Sequence, residues 1–191
     1  MNTVGALKDN EQIKMFNEGL LNRTRSLVYS EIFVIGLQFA LRIDDLLSLT
    51  FEDVLGKDKF YIQESKGKRF KNKKKRMIAI NDTAKSVILS RRLRYPDHEY
   101  LFQNEDSGIP FTQSAVQKVF KRVSDQLDLG VAINTHSLRK TKGHQLWKSG
   151  VKVEIISKFL GHSDVSSTMR YLGIDEGDLE ECFMQDLYIG G

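Results

Sequence analysis

Cysteine and proline are nearly missing from this chain: Cys182 stands alone, and there are two prolines in 191 residues. A lone cysteine excludes an intramolecular disulfide and fits a reducing compartment. None of the four histidines pairs closely with another at metal-ligand spacing, so neither a zinc site nor any other metal or cofactor is expected. Long apolar runs are missing too. The longest, residues 27–41, is broken by Ser30, Glu31 and Gln38 and falls short of the ~18 apolar residues of a membrane span. No basic-then-apolar leader opens the sequence, which predicts a protein that is cytoplasmic rather than exported or membrane-embedded. Internal repeats, low-complexity tracts and obvious linkers are also absent. With 40% of its residues hydrophobic, the chain suits one globular domain over residues 1–191.

Acidic residues are absent from one stretch. Lys66, Lys68, Arg69, Lys71, Lys73, Lys74, Lys75 and Arg76 place eight positive charges in eleven residues with no acid among them. The net charge is +4, so without those eight the rest of the chain stands at −4. Charge focused in this way attracts a polyanion to one place. A solvated basic loop or a localisation-type cluster is the plain alternative.

The hydrophobic pattern predicts a mixed, mainly helical α+β fold. Asp9 or Asn10 can cap a helix reaching about Leu21, residues 27–41 read as a buried helix, and a third helical piece starts near Ile43. Two short β-rich runs, residues 59–63 and 76–80, flank the basic segment and suggest a hairpin with a long charged turn. Asp82 is read as capping a helix that ends before Pro96, residues 100–102 as a short strand, and Thr112 as capping a helix with Val116, Phe120, Val123 and Leu127 inward. Asn134 or Thr135 can cap a helix carrying His136 and Arg139, which would share a face one turn apart and run to Gly150. Residues 153–160 form a short helix with Ile155, Ile156, Phe159 and Leu160 inward. Gly161 stops it in the left-handed region, His162 emerges beyond, and Asp164 caps a helix carrying Tyr171. The tail, residues 173–191, holds Leu179, Phe183, Met184 and Leu187 at helical spacing.

Taken one at a time, the chemistry-bearing residues have ordinary readings. Arg42 can pair with Asp44 or Asp45, His136 and His162 can sit at helix ends, and Tyr171 can be a core or surface tyrosine; His98 and His144 read as structural or surface residues. Their conjunction reads differently. Guanidinium groups match the non-bridging oxygens of a phosphodiester with paired hydrogen bonds and stay charged at any working pH. A phenol, whose pKa lies near ~10, becomes a nucleophile when a neighbour takes its proton or positive charge steadies the phenolate.

His136, Ser137, Leu138 and Arg139 in one signature, Leu160, Gly161 and His162 in a second, and Tyr171 nine residues after His162 resemble the tyrosine recombinase (phage integrase) family. The likeness runs from about Asp9 to Tyr171, and residues 41–46 match the stretch holding that family's first catalytic arginine, with Asp45 for a usual Glu and Ala40 for a usual Gly. The resemblance implies the family's DNA breaking-rejoining catalytic fold, with its small antiparallel sheet. It implies site-specific cutting and rejoining of DNA through a 3′-phosphotyrosyl link, without metal or ATP. Arg42 and Arg139 would hold the phosphate, Tyr171 attack it, His136 act as general base, His162 donate a further hydrogen bond, and Lys66 protonate the leaving 5′-oxygen. Lys68 is the substitute for Lys66, because the family's short Gly-Lys-Gly turn is longer here. Lys68, Arg69, Lys71, Lys73, Lys74, Lys75 and Arg76 would contact DNA.

Most relatives carry a helical clamp domain ahead of the catalytic one, and nothing before Asp9 is long enough to form it. The expectation is therefore a one-domain member or the catalytic part of a longer protein. The implied partners are double-stranded DNA, three further copies in a tetramer on paired sites, and accessory DNA-bending proteins. The free chain is expected to be a monomer, its location nucleoid-associated, and its tail a helix that docks on a neighbouring protomer. Two other readings stay open. Residues 136–148, the Gly150 turn and residues 153–160 can be read as a helix-turn-helix of a non-catalytic DNA-binding regulator, and a type IB topoisomerase shares the chemistry.

Overall fold

The structure, a computed structural model, describes residues 5–63, 75–162 and 164–174. Backbone contacts divide the chain into two compact units, residues 1–145 and 146–191.

The first unit is built on two long helices, the first of them capped by the side chain before it. Helix α1 (Asn10–Arg23) starts where the Asp9 carboxylate accepts the Gln12 N–H at 2.7 Å, matching one of the four amides that a helix start leaves without a partner. Helix α2 (Val28–Phe39) is apolar on most sides, burying Ile32, Phe33, Ile35, Leu37 and Phe39. Phe16 of α1, Phe33 of α2 and Phe120 of α6 (Gln113–Leu127) meet edge to face, with ring centroids 5.1, 5.5 and 6.3 Å apart. Edge-to-face geometry sets each ring's positive rim on its neighbour's negative face. Helix α6 begins at Thr112, as its sequence predicts, and Val116, Phe120 and Val123 are fully buried.

Short helices α3 (Ile43–Leu47) and α4 (Phe51–Val54) follow α2. The second was not expected from the sequence, although Thr50 and Asp53 form a reciprocal capping box, Thr50 Oγ1 accepting the Asp53 N–H at 3.1 Å and Asp53 the Thr50 N–H at 2.9 Å. Strands β1 (Lys59–Ile62) and β2 (Arg76–Ala79) pair antiparallel in the register Lys59–Ala79, Phe60–Ile78, Tyr61–Met77 and Ile62–Arg76. Phe60 and Ile78 face the core, while Tyr61 and Met77 face out. The charged turn that joins the strands lies outside the described residues.

Helix α5 (Asp82–Arg94) is capped by Asn81, whose Oδ1 accepts the Ala84 N–H at 3.0 Å, so Asp82 is the first helical residue and not the cap. Residues 100–102 do not form a strand: Tyr100 makes an isolated bridge to Thr50, and Leu101 and Phe102 are buried in irregular backbone. Arg91 of α5 is 1% exposed and donates from Nε to the Leu101 carbonyl at 2.6 Å, while Arg91 and Arg94 both pair with Glu31 of α2. Helix α7 (Ser137–Lys148) begins in the first unit, its Leu138 seated against α2. A Cβ at Gly36 would lie 2.5 Å from Leu138 Cδ1, so the absence of a side chain there is what lets the two helices approach.

The second unit holds α8 (Val153–Leu160) and α9 (Val165–Leu172), packed on each other. Ile156 and Leu160 are fully buried, but Ile155 is 56% exposed and the small polar Ser157 is buried instead. The apolar face of α8 is thus rotated from the expected one. Ser157 earns its place by bonding: its hydroxyl donates to the Asp164 carbonyl at 3.3 Å, and its own carbonyl accepts the His162 N–H at 3.0 Å. The tail beyond Ile174, expected to hold a helix, lies outside the described residues.

Candidate active site

In the first unit the arginines are organised by one turn. Helix α2 ends at Ala40, which takes the left-handed conformation (φ 45°, ψ 37°) and returns its N–H to the Gly36 carbonyl at 2.9 Å. That conformation crowds any side chain with a Cβ. Ala40 takes it despite its Cβ. Two residues on, Arg42 is the half-buried N-cap residue of α3. Arg139, in the first turn of α7 and 4% exposed, donates from Nη1 to the Ala40 carbonyl. The backbone turn that launches Arg42 is thereby tied to the guanidinium of Arg139.

His136 stands just outside α7 and not within it: its carbonyl accepts the Lys140 N–H at 3.2 Å, and its own N–H donates to Asn134 Oδ1 at 2.8 Å. Asn134 also accepts the Ser137 N–H at 3.2 Å, and the Ser137 hydroxyl accepts the Asn134 N–H at 3.1 Å. The side chain of His136 is exposed, a location suited to meeting a substrate.

Arg76, expected at the start of the second β-rich run and as a DNA contact, adds a third guanidinium. It is half-buried on β2, and its pKa is pushed down from the ordinary arginine value to about 10, first by loss of solvent, then by repulsion from Arg139, against an opposing attraction from Asp45. Asp45, in the first turn of α3, is 5% exposed. Arg76 stays protonated at neutral pH. Burial beside a like charge is unfavourable in the free protein, and it is the environment that an anion would relieve.

In the second unit, Gly161 (φ 66°) ends α8 and turns the chain so that His162 precedes α9. Asp164 caps α9, accepting the Ser167 N–H at 2.7 Å. His162 Nδ1 lies 2.8 Å from the hydroxyl of Thr168, a fully buried residue. The His162 and Tyr171 rings meet edge to face with centroids 5.1 Å apart at 83°. Tyr171 is half-buried, and Leu172 is buried. Thr168 was not singled out in the sequence; its signal is position, one helical turn before Tyr171 and close to His162 through the tight α8–α9 connection.

Lys66, Lys68, Arg69, Lys71, Lys73 and Lys74 lie outside the described residues, and Lys75, just before β2, is exposed. His98 stacks on Tyr95 with centroids 4.7 Å apart, and His144 is 6% exposed within α7. Among the described residues, no three His, Cys, Asp or Glu side chains cluster closely enough to hold a metal ion, and no helix is long and apolar enough to cross a membrane.

Among curated proteins, the chain is 32% identical over 176 residues to "Probable integrase/recombinase YoeC" of Bacillus subtilis, covering 92% of this chain and 93% of that one. It is 24% identical over 168 residues to a probable integrase/recombinase of Acholeplasma phage L2, and 22% identical over 150 residues to the tyrosine recombinase XerD of Halalkalibacterium halodurans. Those matches take in 88% and 75% of this chain, but 56% and 48% of the two relatives, so it spans about half their length. Among solved structures, the XerA recombinase superposes with a TM-score of 0.71 at 20% identity over 98% of this chain and 68% of that one. The Tn1549 transposon integrase in complex with a circular intermediate DNA gives 0.75 at 17% identity, over 98% and 67%. The fold is that of these recombinases. Residues 8–177 match the phage integrase family, and with the arginine turn, the His162 and Tyr171 pair and a relative alike over almost its whole length, the chain belongs to that family, the tyrosine recombinases.

Proposed function

We propose that this protein is a site-specific DNA recombinase in which Tyr171 attacks a phosphodiester held by Arg42 and Arg139. The phenolic oxygen bonds to phosphorus and the bond from phosphorus to the 5′-oxygen breaks, leaving a 3′-phosphotyrosyl link and a free 5′-hydroxyl. His136 takes the phenol proton, and Lys66, or Lys68 in its stead, gives one to the departing oxygen. Arg42, Arg139 and Arg76 neutralise the charge gathering on the non-bridging oxygens, and His162 adds a hydrogen bond. The covalent link conserves the phosphodiester's energy, so rejoining to another strand needs no ATP. No metal is required, because the guanidinium groups supply the positive charge.

The observation that carries this reading is the bond from Arg139 to the Ala40 carbonyl, which couples two arginines far apart in sequence through one turn. The edge-to-face contact of His162 with Tyr171 supports the nucleophile's assignment. The solved Tn1549 integrase and XerH recombinase structures are complexes with DNA, which supports double-stranded DNA as the partner. Lys68, Arg69, Lys71, Lys73, Lys74 and Lys75 supply contacts to phosphate more than to base edges. On DNA the chain assembles as a tetramer across two sites, with residues 176–187 docking on a neighbouring protomer, and it is a monomer when free. It acts at the nucleoid, with DNA-bending proteins as possible accessories.

The test is a duplex nicked beside the cleavage site, so that the released strand diffuses away and the covalent complex accumulates. An SDS-resistant protein–DNA adduct that forms in EDTA is the expected result. Cleavage that EDTA abolishes and a divalent ion restores would overturn the assignment. Binding without any adduct on cognate DNA would instead favour the regulator reading.

A further inference from the structure

His162 has two ring nitrogens, and what it can do to a phosphate depends on which carries the proton. Nδ1 lies 2.8 Å from Thr168 Oγ1. Thr168 is 0% exposed, and among the described residues its hydroxyl has this one hydrogen-bond partner. A buried hydroxyl proton needs an acceptor, and the Nδ1 lone pair of a neutral imidazole is the acceptor within reach. If Nδ1 bore the ring proton, it would donate to Oγ1 and leave the hydroxyl hydrogen buried with no hydrogen-bond acceptor paired to it among the described residues. The bond therefore selects the tautomer protonated on Nε2. Asp164, the acid that caps α9, accepts from the Ser167 N–H and from the hydroxyls of Ser166 and Ser167. This partner of Nδ1 is a hydroxyl that can donate, whereas a carboxylate could only accept and would favour the opposite tautomer.

We propose that Thr168 is a positioning residue that holds His162 as an Nε2–H donor. In that form the ring offers a phosphate oxygen a hydrogen bond and cannot take the Tyr171 proton through Nε2, which leaves the general-base role to His136. The proposal rests on the reading of His162 as a phosphate contact. Thr168 touches neither DNA nor nucleophile in it; it acts through the imidazole. The ring's orientation is fixed by the same bond, and the adjoining Tyr171 ring, 5.1 Å away at 83°, packs against a side chain that is not free to rotate.

The experiment compares Thr168→Val, which keeps the shape and removes the hydroxyl, with Thr168→Ser, which restores it, and with His162→Gln, all in the full 191-residue chain. Histidine is labelled with 15N, and the His162 signals are identified by their loss in His162→Gln. At a pH where the ring is neutral, the wild-type and Thr168→Ser spectra should show Nε2 protonated, and Thr168→Val should show a mixture of tautomers. In parallel, Thr168→Val should slow single-turnover cleavage of a nicked substrate by up to roughly 100-fold, as for a displaced catalytic group, with DNA affinity unchanged. Thr168→Ser should recover most of that rate. Wild-type His162 protonated on Nδ1, or a Thr168→Val protein with unchanged spectrum and rate, overturns the proposal. If His162→Gln itself cleaves normally, the reading of His162 as a phosphate contact fails, while the tautomer spectra still decide what Thr168 does to the ring. Circular dichroism of Thr168→Val checks its fold, and the wild-type spectrum tests the tautomer whether or not that variant folds.

Discussion

Arg76 should be a residue whose removal stabilises the free protein and disables it. The substitution is Arg76→Met, which keeps an unbranched apolar side chain at this half-buried strand position while deleting the charge. Depression of the guanidinium pKa from its ordinary value to about 10 corresponds to at most roughly 3 kcal/mol of preference for the neutral form, and about 1–2 kcal/mol after discounting for its half-buried position. Two influences oppose each other. Solvent loss and Arg139 disfavour the charge, Asp45 favours it, and the downward shift says that the first pair wins. The sign with pH follows. Between pH 10 and the ordinary arginine pKa the unfolded chain holds a proton on Arg76 that the folded chain has released, so this residue's contribution to stability rises with pH through that window. Below pH 10 its penalty is present in full. Denaturant melts at pH 7 should therefore show Arg76→Met more stable by about 1–2 kcal/mol, or some 2–8 °C in Tm for a chain of this size. The same variant should bind cognate DNA less tightly and cleave it more slowly, since the unfavourable charge is the one that phosphate would satisfy. A variant destabilised by more than ~1 kcal/mol, with DNA cleavage intact, would show that the pair with Asp45 outweighs burial and that Arg76 is structural.

Three further outcomes follow from the same structure. Replacing Lys73, Lys74 and Lys75 together by Gln should weaken binding to all DNA sequences alike and flatten its salt dependence by up to ~0.9 log units per lost phosphate contact; an unchanged slope would show that the turn does not meet DNA. Glu31→Ala leaves Arg91, 1% exposed, without its carboxylate and should cost about 3 kcal/mol in urea melts, whereas a loss under ~1 kcal/mol would mean that the Leu101 carbonyl and the adjoining aromatic faces suffice. Truncation after Ile174 preserves the Gly173 cap of α9, whose N–H returns to the Met169 carbonyl. It should abolish multimeric complexes on DNA by native gel while single-site binding persists, and normal assembly would refute docking in trans.

Much of this was legible in the residues because the punctuation is strong. Asp9, Thr112, Gly161 and Asp164 cap or stop the helices they were expected to, since each orphaned amide or carbonyl has few local partners to choose from. The errors arise where tertiary packing decides. Ile155 looked inward on apolar character alone, but α8 is rotated so that Ser157 is buried and holds the backbone around Asp164 and His162. Residues 100–102 have strand-like composition, yet one bridge to Thr50 is all the pairing that forms, and Leu101 is used instead as an acceptor for Arg91. The choice of Asn81 over Asp82 as cap is a shift of one position between two good capping residues. At the site, the signatures picked out candidate residues but not what holds them in place. The left-handed Ala40, the Arg139 bond to its carbonyl, Arg76 beside Arg139 and Thr168 on His162 all depend on contacts that spacing along the chain does not encode.

The measurement closest to the central claim is the location of the covalent bond. Wild-type protein trapped on a nicked duplex, digested with nuclease and protease and read by mass spectrometry, should carry the nucleotide on the peptide containing Tyr171, and Tyr171→Phe should bind the same duplex with no adduct. The chain has six tyrosines, so the experiment can fail cleanly. A nucleotide on Tyr188 or any other residue, or a full adduct yield from Tyr171→Phe, would contradict the account.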